Sequence, residues 1–329
     1  MPRTAERQGN VRHGRFGKRL PRRLAAIDVG SNTILLLVAE HDPSTGLTII
    51  DEAEDQPRLG AGLGTTGRLG EAAIERALQS LSRMRDHALR LGAEWIEAVA
   101  TAAVREAANG ADFVERARRK GIPVRVISPE AEADLAYRSA AHHFPDPGPT
   151  LVADIGGGSM ELIGVVDHEI ELTTSLPLGA VRLTEMGLPL PRLRDHIRGQ
   201  LGPAMDETTW TGSQVIGSGG TFANLASMVQ ARQGDQNMGS IQGVRATVGA
   251  LEELLAALER MSPAQRREVP GLRPERADII VAGLTVADEL LRWVKCPAVT
   301  VNRYGLREGL LLEMLGLPSS EPDNSEGSP

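Results

Sequence analysis

Two glycine-bearing stretches decide how this chain reads: Ala26-Ile27-Asp28-Val29-Gly30-Ser31-Asn32 near its start and Val152-Ala153-Asp154-Ile155-Gly156-Gly157-Gly158-Ser159 near its middle. Each is an apolar run, then an aspartate, then small residues, then a return to a β-type run. The pattern predicts a β-hairpin whose turn can cradle a phosphate. Glycine lets the backbone approach an anion, while turn N–H groups and the hydroxyl of Ser31 or Ser159 supply donors. The aspartate at the strand end can reach a metal or order a water. One such turn alone reads as an ordinary turn. The matched pair reads as two halves closing over one phosphate-bearing ligand.

The remaining composition bounds the answer. A chain of 329 residues allows about two domains at roughly 150 residues each. No apolar run reaches the roughly 18 to 20 residues that span a bilayer. The sole cysteine, Cys296, excludes an intramolecular disulfide and fits a reducing cytoplasm. The seven histidines show no zinc-like spacing, and His142-His143, ahead of a proline-rich turn, reads as a solvated helix end. Aromatic residues are only 3% of the chain, too few for the stacking platforms of a single-strand nucleic-acid binder. Residues 1–23 hold eight Arg and Lys against one Glu, in a chain of formal charge −7. That segment is expected to be a disordered basic arm on an acidic body. It lacks the apolar stretch of a secretory signal.

Strands are expected at 24–29, 33–40 and 47–54, with Asp42-Pro43-Ser44-Thr45-Gly46 as a turn between the last two. A glycine-rich loop over 57–70 precedes a helix over 71–91, whose Ile74, Leu78, Leu81 and Met84 share one face. A buried strand at 95–100, a charged helix at 111–120, a strand at 123–127 and a helix at 129–143 follow. The strand-turn-strand-strand pattern then restarts over 150–175, as a duplicated fold would. The second half continues with helices at 180–186, 191–205, 221–232, 251–260, 277–295 and 305–315, and strands at 214–217 and 297–301. The expected division is an arm over 1–23, domains over 24–147 and 148–316, and a disordered acidic tail over 317–329.

Several segments together resemble the exopolyphosphatase/guanosine pentaphosphate phosphatase (Ppx/GppA) family. They are Asp28–Asn32, Thr101-Ala102-Ala103-Val104-Arg105, Glu130-Ala131-Glu132-Ala133, Asp154–Glu161, Gly217–Thr221, Gly271–Asp278 and Leu306-Arg307-Glu308-Gly309, in the family's order across roughly residues 24–315. The resemblance implies an α/β, two-lobed fold of the actin-like, sugar-kinase and heat-shock-70 ATPase (ribonuclease H-like) type with duplicated domains. It also implies a short form without the family's C-terminal helical domain.

By that resemblance Ser31 and Asn32 belong to a first phosphate loop, and Gly156, Gly157, Gly158 and Ser159 to a second. Glu132 matches the family's catalytic base. The chain reads Pro129-Glu130-Ala131-Glu132-Ala133 there, so the family's glycine and first glutamate are replaced while the base position is kept. A carboxylate suits hydrolysis of a phosphoanhydride because it can orient and deprotonate a water in line with the leaving oxygen. Asp28, Asp154 and Glu161 are the expected Mg2+ ligands, with Asp154 also counted as catalytic. Arg105, at a strand-to-helix junction, is the best cationic contact for substrate. Arg182 and Arg307 are weaker candidates, the latter with Glu308 or Asp278 as a structural partner. Gly219 and Thr221, in Ser218-Gly219-Gly220-Thr221, are expected against substrate phosphates. Ala282-Gly283 is expected on a helix that packs the two domains at a hinge.

The function expected from these residues is a cytoplasmic exopolyphosphatase releasing orthophosphate from short to moderate polyphosphate chains. It needs no nucleic-acid or membrane partner, and the family implies a homodimer. Guanosine pentaphosphate is the alternative substrate. A kinase or ATPase of the same superfamily and a non-catalytic phosphate sensor are the readings from other classes. A sensor has no use for a carboxylate base beside an anionic ligand.

Overall fold

The computed structural model describes residues 22–145, 148–205, 207–234 and 240–317. The basic arm up to residue 21, the acidic tail from 318 and part of the expected boundary at 145–149 lie outside them.

Strands β1 (Arg23–Val29), β2 (Ile34–Asp42), β3 (Gly46–Asp55), β4 (Trp95–Ala100) and β5 (Val124–Val126) form one sheet in the order β3-β2-β1-β4-β5. β1 is antiparallel to β2 and parallel to β4. Strands β6 (Thr150–Ile155), β7 (Met160–Val166), β8 (Glu169–Leu176), β9 (Gln214–Ser218), β10 (Arg245–Thr247) and β11 (Ala298–Val301) form the second, in the order β10-β11-β9-β6-β7-β8. Within it β8-β7-β6-β9-β11 repeats the order and sense of the first sheet. The restart seen in the sequence is thus a duplicated lobe. β1 and β6 sit centrally and are covered on both faces, so their side chains are apolar without alternation. The added edge strand β10 spans three residues, too short for any alternation to announce it.

The helix Glu71–Arg90 buries the predicted face, Ile74, Leu78, Leu81 and Met84, in the first lobe's core. In the second lobe the helix Ile280–Trp293 packs against the helix Gly219–Arg232. A Cβ on Gly283 would lie 2.5 Å from Thr221 Oγ1. The expectation that Ala282-Gly283 serves an inter-lobe hinge is corrected: the small residue admits a neighbouring helix of the same lobe.

Two other helices join the lobes. Pro129–His143 follows β5, starts with proline at its first position, and is capped by Ser128 Oγ, which accepts from the Ala131 N–H at 3.2 Å. Its Ala133, Ala136, Tyr137 and Ala140 pack on Val152, Ile163, Val165 and Ile216 of the second sheet. The helix Gly305–Leu315 follows β11 and returns the exchange, packing Leu306, Leu310 and Leu311 against Leu24, Ala26 and Leu37 of the first sheet. The two cross where Gly309 meets Leu135. A Cβ on Gly309 would stand 1.8 Å from the Leu135 carbonyl oxygen, so only glycine permits the crossing.

Candidate active site

The two quoted turns have the same geometry and face each other. The Gly30 N–H donates to the Thr33 carbonyl at 3.0 Å, and the Gly156 N–H donates to the Ser159 carbonyl at 3.0 Å. A Cβ on Gly157 would lie 3.1 Å from Ser31 Cβ and 3.2 Å from the Asn32 nitrogen, and one on Gly158 would lie 2.8 Å from Ser31 Oγ. The turns are held from behind. The Gly60 N–H donates to the Ser31 carbonyl at 2.7 Å and the Arg58 N–H to the Asn32 carbonyl at 3.1 Å. On the other side the Ala180 N–H donates to Gly156 O at 3.0 Å and the Val181 N–H to Gly157 O at 2.9 Å. Carbonyls are therefore tied back while small residues meet across the cleft. The cleft has a volume of about 450 Å³, with Asp28, Asp154 and both turns in its wall.

Four carboxylates interact in and behind this cleft: Asp28 and Asp154 stand in its wall, whereas Glu132 and Glu161 do not line it and are coupled to them by charge. Asp154 and Glu161 are direct cross-strand partners on β6 and β7. Burial, helped by the charge of Glu161, pushes the Asp28 carboxyl up to about 7 against the opposing pull of Arg307. Burial, then Glu161 and Asp28, push Asp154 up to about 8. Glu132 is 7% exposed. Burial and the nearby Glu161 hold its carboxyl well above the usual range, while Arg105 pulls it down. Burial also raises Glu161, opposed by hydrogen bonds from Ser159 and from Ser175 Oγ, the latter at 2.9 Å. Like charges at close range disfavour one another's ionisation, so this many buried acids stay ionised together only beside a cation.

The donor set fits a hard divalent cation. Asp28 Oδ1 is buried with no hydrogen-bond partner. Among the described residues these carboxylates do not bring three ligand atoms to metal-ligand spacing; the group that does is His142, His143 and Glu308. A cation at Asp28 and Asp154 in the cleft wall would therefore draw most of its shell from water or phosphate oxygens, which is how Mg2+ usually binds.

Arginines supply the opposite charge. Arg105 Nη1 donates to Glu132 Oε2 at 3.0 Å and to the Ile127 carbonyl at 2.9 Å. It lies in the last turn of the five-residue helix Ala102–Glu106, not at a helix start. Arg182 Nε donates to the Gly158 carbonyl at 2.7 Å, and its Nη2 pairs with Glu106 across the lobes at 2.6 Å, so it positions the second turn. Arg307 donates to the Leu36 carbonyl at 3.2 Å and pairs with Glu52 at 3.3 Å, not with Glu308 or Asp278. Asp278 instead pairs with Arg58 of the first lobe at 2.8 Å.

Sequence reasoning gives no role to Arg276, although it singles out the segment that holds it. Arg276 is buried, lies on Gly220 where a Cβ would meet its guanidinium carbon at 2.0 Å, and donates to Thr33 Oγ1 at 3.2 Å. Burial lowers it to about 10, so it stays charged at neutral pH, and its Nε has no partner. Gly219, at φ +85°, lets Asp154 sit where a Cβ would be 2.5 Å from its Oδ1. Thr221 is not brought to the cleft with them. Its hydroxyl is buried against Gly283 within the second lobe because the helix begins at Gly219, two residues earlier than the sequence predicts. His143 likewise departs from the solvated end expected for it: its Nε2 sits 2.8 Å from Glu308 Oε2.

Comparison with known proteins agrees with this geometry. The model of the Ppx/GppA phosphatase family matches residues 37–317. Exopolyphosphatase 1 of Mycobacterium leprae is 33% identical over 92% of this chain and 91% of its own length. Exopolyphosphatase 1 of Mycobacterium tuberculosis is 31% identical, over 92% and 90%. The crystal structure of an exopolyphosphatase from Cytophaga hutchinsonii superposes with a TM-score of 0.83 at 26% identity, covering 91% of this chain and all of that one. The Aquifex aeolicus Ppx/GppA family member superposes at 0.74 and 29% identity, over 90% and 98%. With two lobes of one repeated topology whose glycine turns face each other near buried carboxylates and arginines, the chain belongs to the Ppx/GppA phosphatase family and is a phosphoanhydride hydrolase.

Proposed function

We propose that this cleft removes the terminal phosphate of inorganic polyphosphate, with Glu132 as the general base. The observation that carries the reading is Glu132 itself: a buried carboxylate that does not line the cleft but is coupled in charge to Glu161 and Asp28 of the acid cluster, raised by burial and held by Arg105. A carboxylate whose proton affinity is raised by burial is a stronger base toward the water that attacks phosphorus. Glu132 takes a proton from water, the water oxygen bonds to the terminal phosphorus, and the bond to the bridging oxygen breaks. Orthophosphate and a chain one unit shorter result.

The backbone N–H groups of both turns, with the Ser31 hydroxyl, would hold the terminal phosphate. Arg276, and beyond it Arg273, Arg303 and Arg307 in the same cleft wall, would hold the phosphates that follow. Asp28 and Asp154 would hold Mg2+, which when bound neutralises charge on the phosphate oxygens, with Glu161 behind them adding its charge. Arg105 keeps Glu132 oriented and favours its ionised form.

One observation favours a second substrate. Past the turns, the cleft runs along Asn224, Gln230, Ile241 and Tyr304, and Gln230 Oε1 is buried without a partner. Amide and ring surfaces there would suit the nucleoside of guanosine pentaphosphate. Orthophosphate release with Mg2+ from tripolyphosphate, long polyphosphate and guanosine pentaphosphate, measured in parallel, tests the assignment. Release from the polyphosphates, greater from the shorter chains, is expected. Release from guanosine pentaphosphate alone moves the assignment to the nucleotide, and silence on all three removes it.

A further inference from the structure

Outside the cleft, His142, His143 and Glu308 offer ligand atoms that all lie within 4.8 Å of one another. They come from the end of Pro129–His143 and the first turn of Gly305–Leu315, the two helices that cross between the lobes. We propose that these three residues form a site for a first-row transition-metal ion of the Zn2+ type, separate from the acidic cleft, that clamps the crossing.

The donor types select the ion. Two imidazoles and one carboxylate suit zinc, cobalt or nickel, whereas Mg2+ prefers oxygen alone. The spacing is close to what such an ion imposes. His143 Nε2 lies 2.8 Å and 2.9 Å from the two Glu308 oxygens. Tetrahedral ligands at about 2.0–2.1 Å from zinc stand roughly 3.3 Å apart. A widening of roughly half an ångström lets the ion take the place now held by the proton between them. The His142 and His143 rings meet edge to face with centroids 5.0 Å apart, and one ring nitrogen of each lies within 4.8 Å of the other and of a Glu308 oxygen.

The carboxylate is held ready. Glu308 is 2% exposed. Ser139 Oγ donates to its Oε2 at 2.6 Å, Asn302 Nδ2 donates to Ser139 Oγ at 2.9 Å, and Gln242 Nε2 donates to Asn302 Oδ1 at 3.1 Å. Such an outer chain of hydrogen bonds fixes a ligand in place at metal sites. His142 is exposed and provides the way in, and water fills the fourth position. Glu132 lies about three helical turns away, roughly 16 Å along the axis, so the ion does not touch reacting atoms. Its effect is on how firmly the helices cross.

The test uses the untagged full chain, stripped by chelator and titrated with Zn2+ and Co2+ in excess Mg2+. One equivalent of Zn2+ that Mg2+ does not displace, a rise in Tm, and the strong visible absorption of tetrahedral Co2+ are expected. His142→Ala and His143→Gln should each weaken binding by at least about tenfold, and Ser139→Ala by about 10- to 100-fold. Asp154→Asn, which alters the acidic cleft, should leave the Co2+ spectrum intact. Absence of a tight equivalent in the unaltered chain overturns the proposal. So does a Co2+ spectrum that survives loss of both histidines or disappears with Asp154→Asn.

Discussion

Arg105 reaches Glu132 Oε2 at 3.0 Å with the same nitrogen that donates to the Ile127 carbonyl at 2.9 Å. The carbonyl anchors the guanidinium, and the guanidinium anchors the carboxylate. Because Arg105 is among the forces that lower the Glu132 carboxyl, its removal must raise that carboxyl further. Arg105→Ala is therefore expected to shift the acidic limb of the pH–rate profile to higher pH. It should also lower kcat/KM at neutral pH by roughly 10- to 100-fold, the worth of a charged hydrogen bond. Arg105→Lys should recover part of both. A profile that stays in place after Arg105→Ala shows that the pair does not set the base.

Arg276 is a buried cation with an unpartnered Nε. Its burial serves a ligand more than the fold, since an unpaired buried donor is costly. Arg276→Met is expected to raise KM for tripolyphosphate about tenfold or more with a smaller change in kcat. Tm should stay level or rise. Steady-state kinetics beside a thermal melt separates this from general damage, which lowers Tm and kcat together.

Stability should fall with pH in the absence of divalent cation. Asp28 and Asp154 are raised to about 7 and about 8, so between pH about 4 and 8 the folded chain holds more protons than the unfolded one. Stability then declines as pH rises through that window. Mg2+ binds the ionised pair, so the stabilisation it gives should grow over the same range. Melts from pH 5 to 8.5 with and without Mg2+ measure this, and Asp154→Asn should flatten the metal-free slope. A metal-free stability that rises with pH contradicts the account.

Gly309 fixes the approach of the two lobe-joining helices. Gly309→Ala must push Gly305–Leu315 away from the Leu135 carbonyl. The expected cost is about 1–3 kcal/mol, as for other overpacked sites. The same displacement disturbs the helix that carries Glu132, so kcat should fall with stability. Chemical denaturation with parallel kinetics checks both, and an unchanged midpoint excludes the tight crossing.

Much of the frame is legible in the sequence because it is local. The runs into Gly30 and Gly156 predict both hairpins, and the helix Pro129–His143 ends where the sequence places it, since Pro129 and the prolines beyond His143 bound it. Glu132 stands out only through the resemblance; alone, it is one of several acids in a helix start. What stays hidden depends on residues distant in sequence. Ser31 meets Gly158 only when the lobes close. Arg276 reaches Thr33 from 243 positions away, and His143 reaches Glu308 from 165 away. Thr221 is misplaced by the sequence because a glycine-to-helix junction does not say which way the hydroxyl turns.

The central claim is that Glu132 activates the attacking water. Orthophosphate release from tripolyphosphate by Glu132→Gln, set beside the affinity of that variant for the same substrate, tests it most directly. Turnover should drop by about 10²- to 10⁴-fold while affinity stays within a few-fold, because glutamine fills the same space and cannot take a proton. Turnover near that of the unaltered chain, with affinity intact, would contradict the assignment.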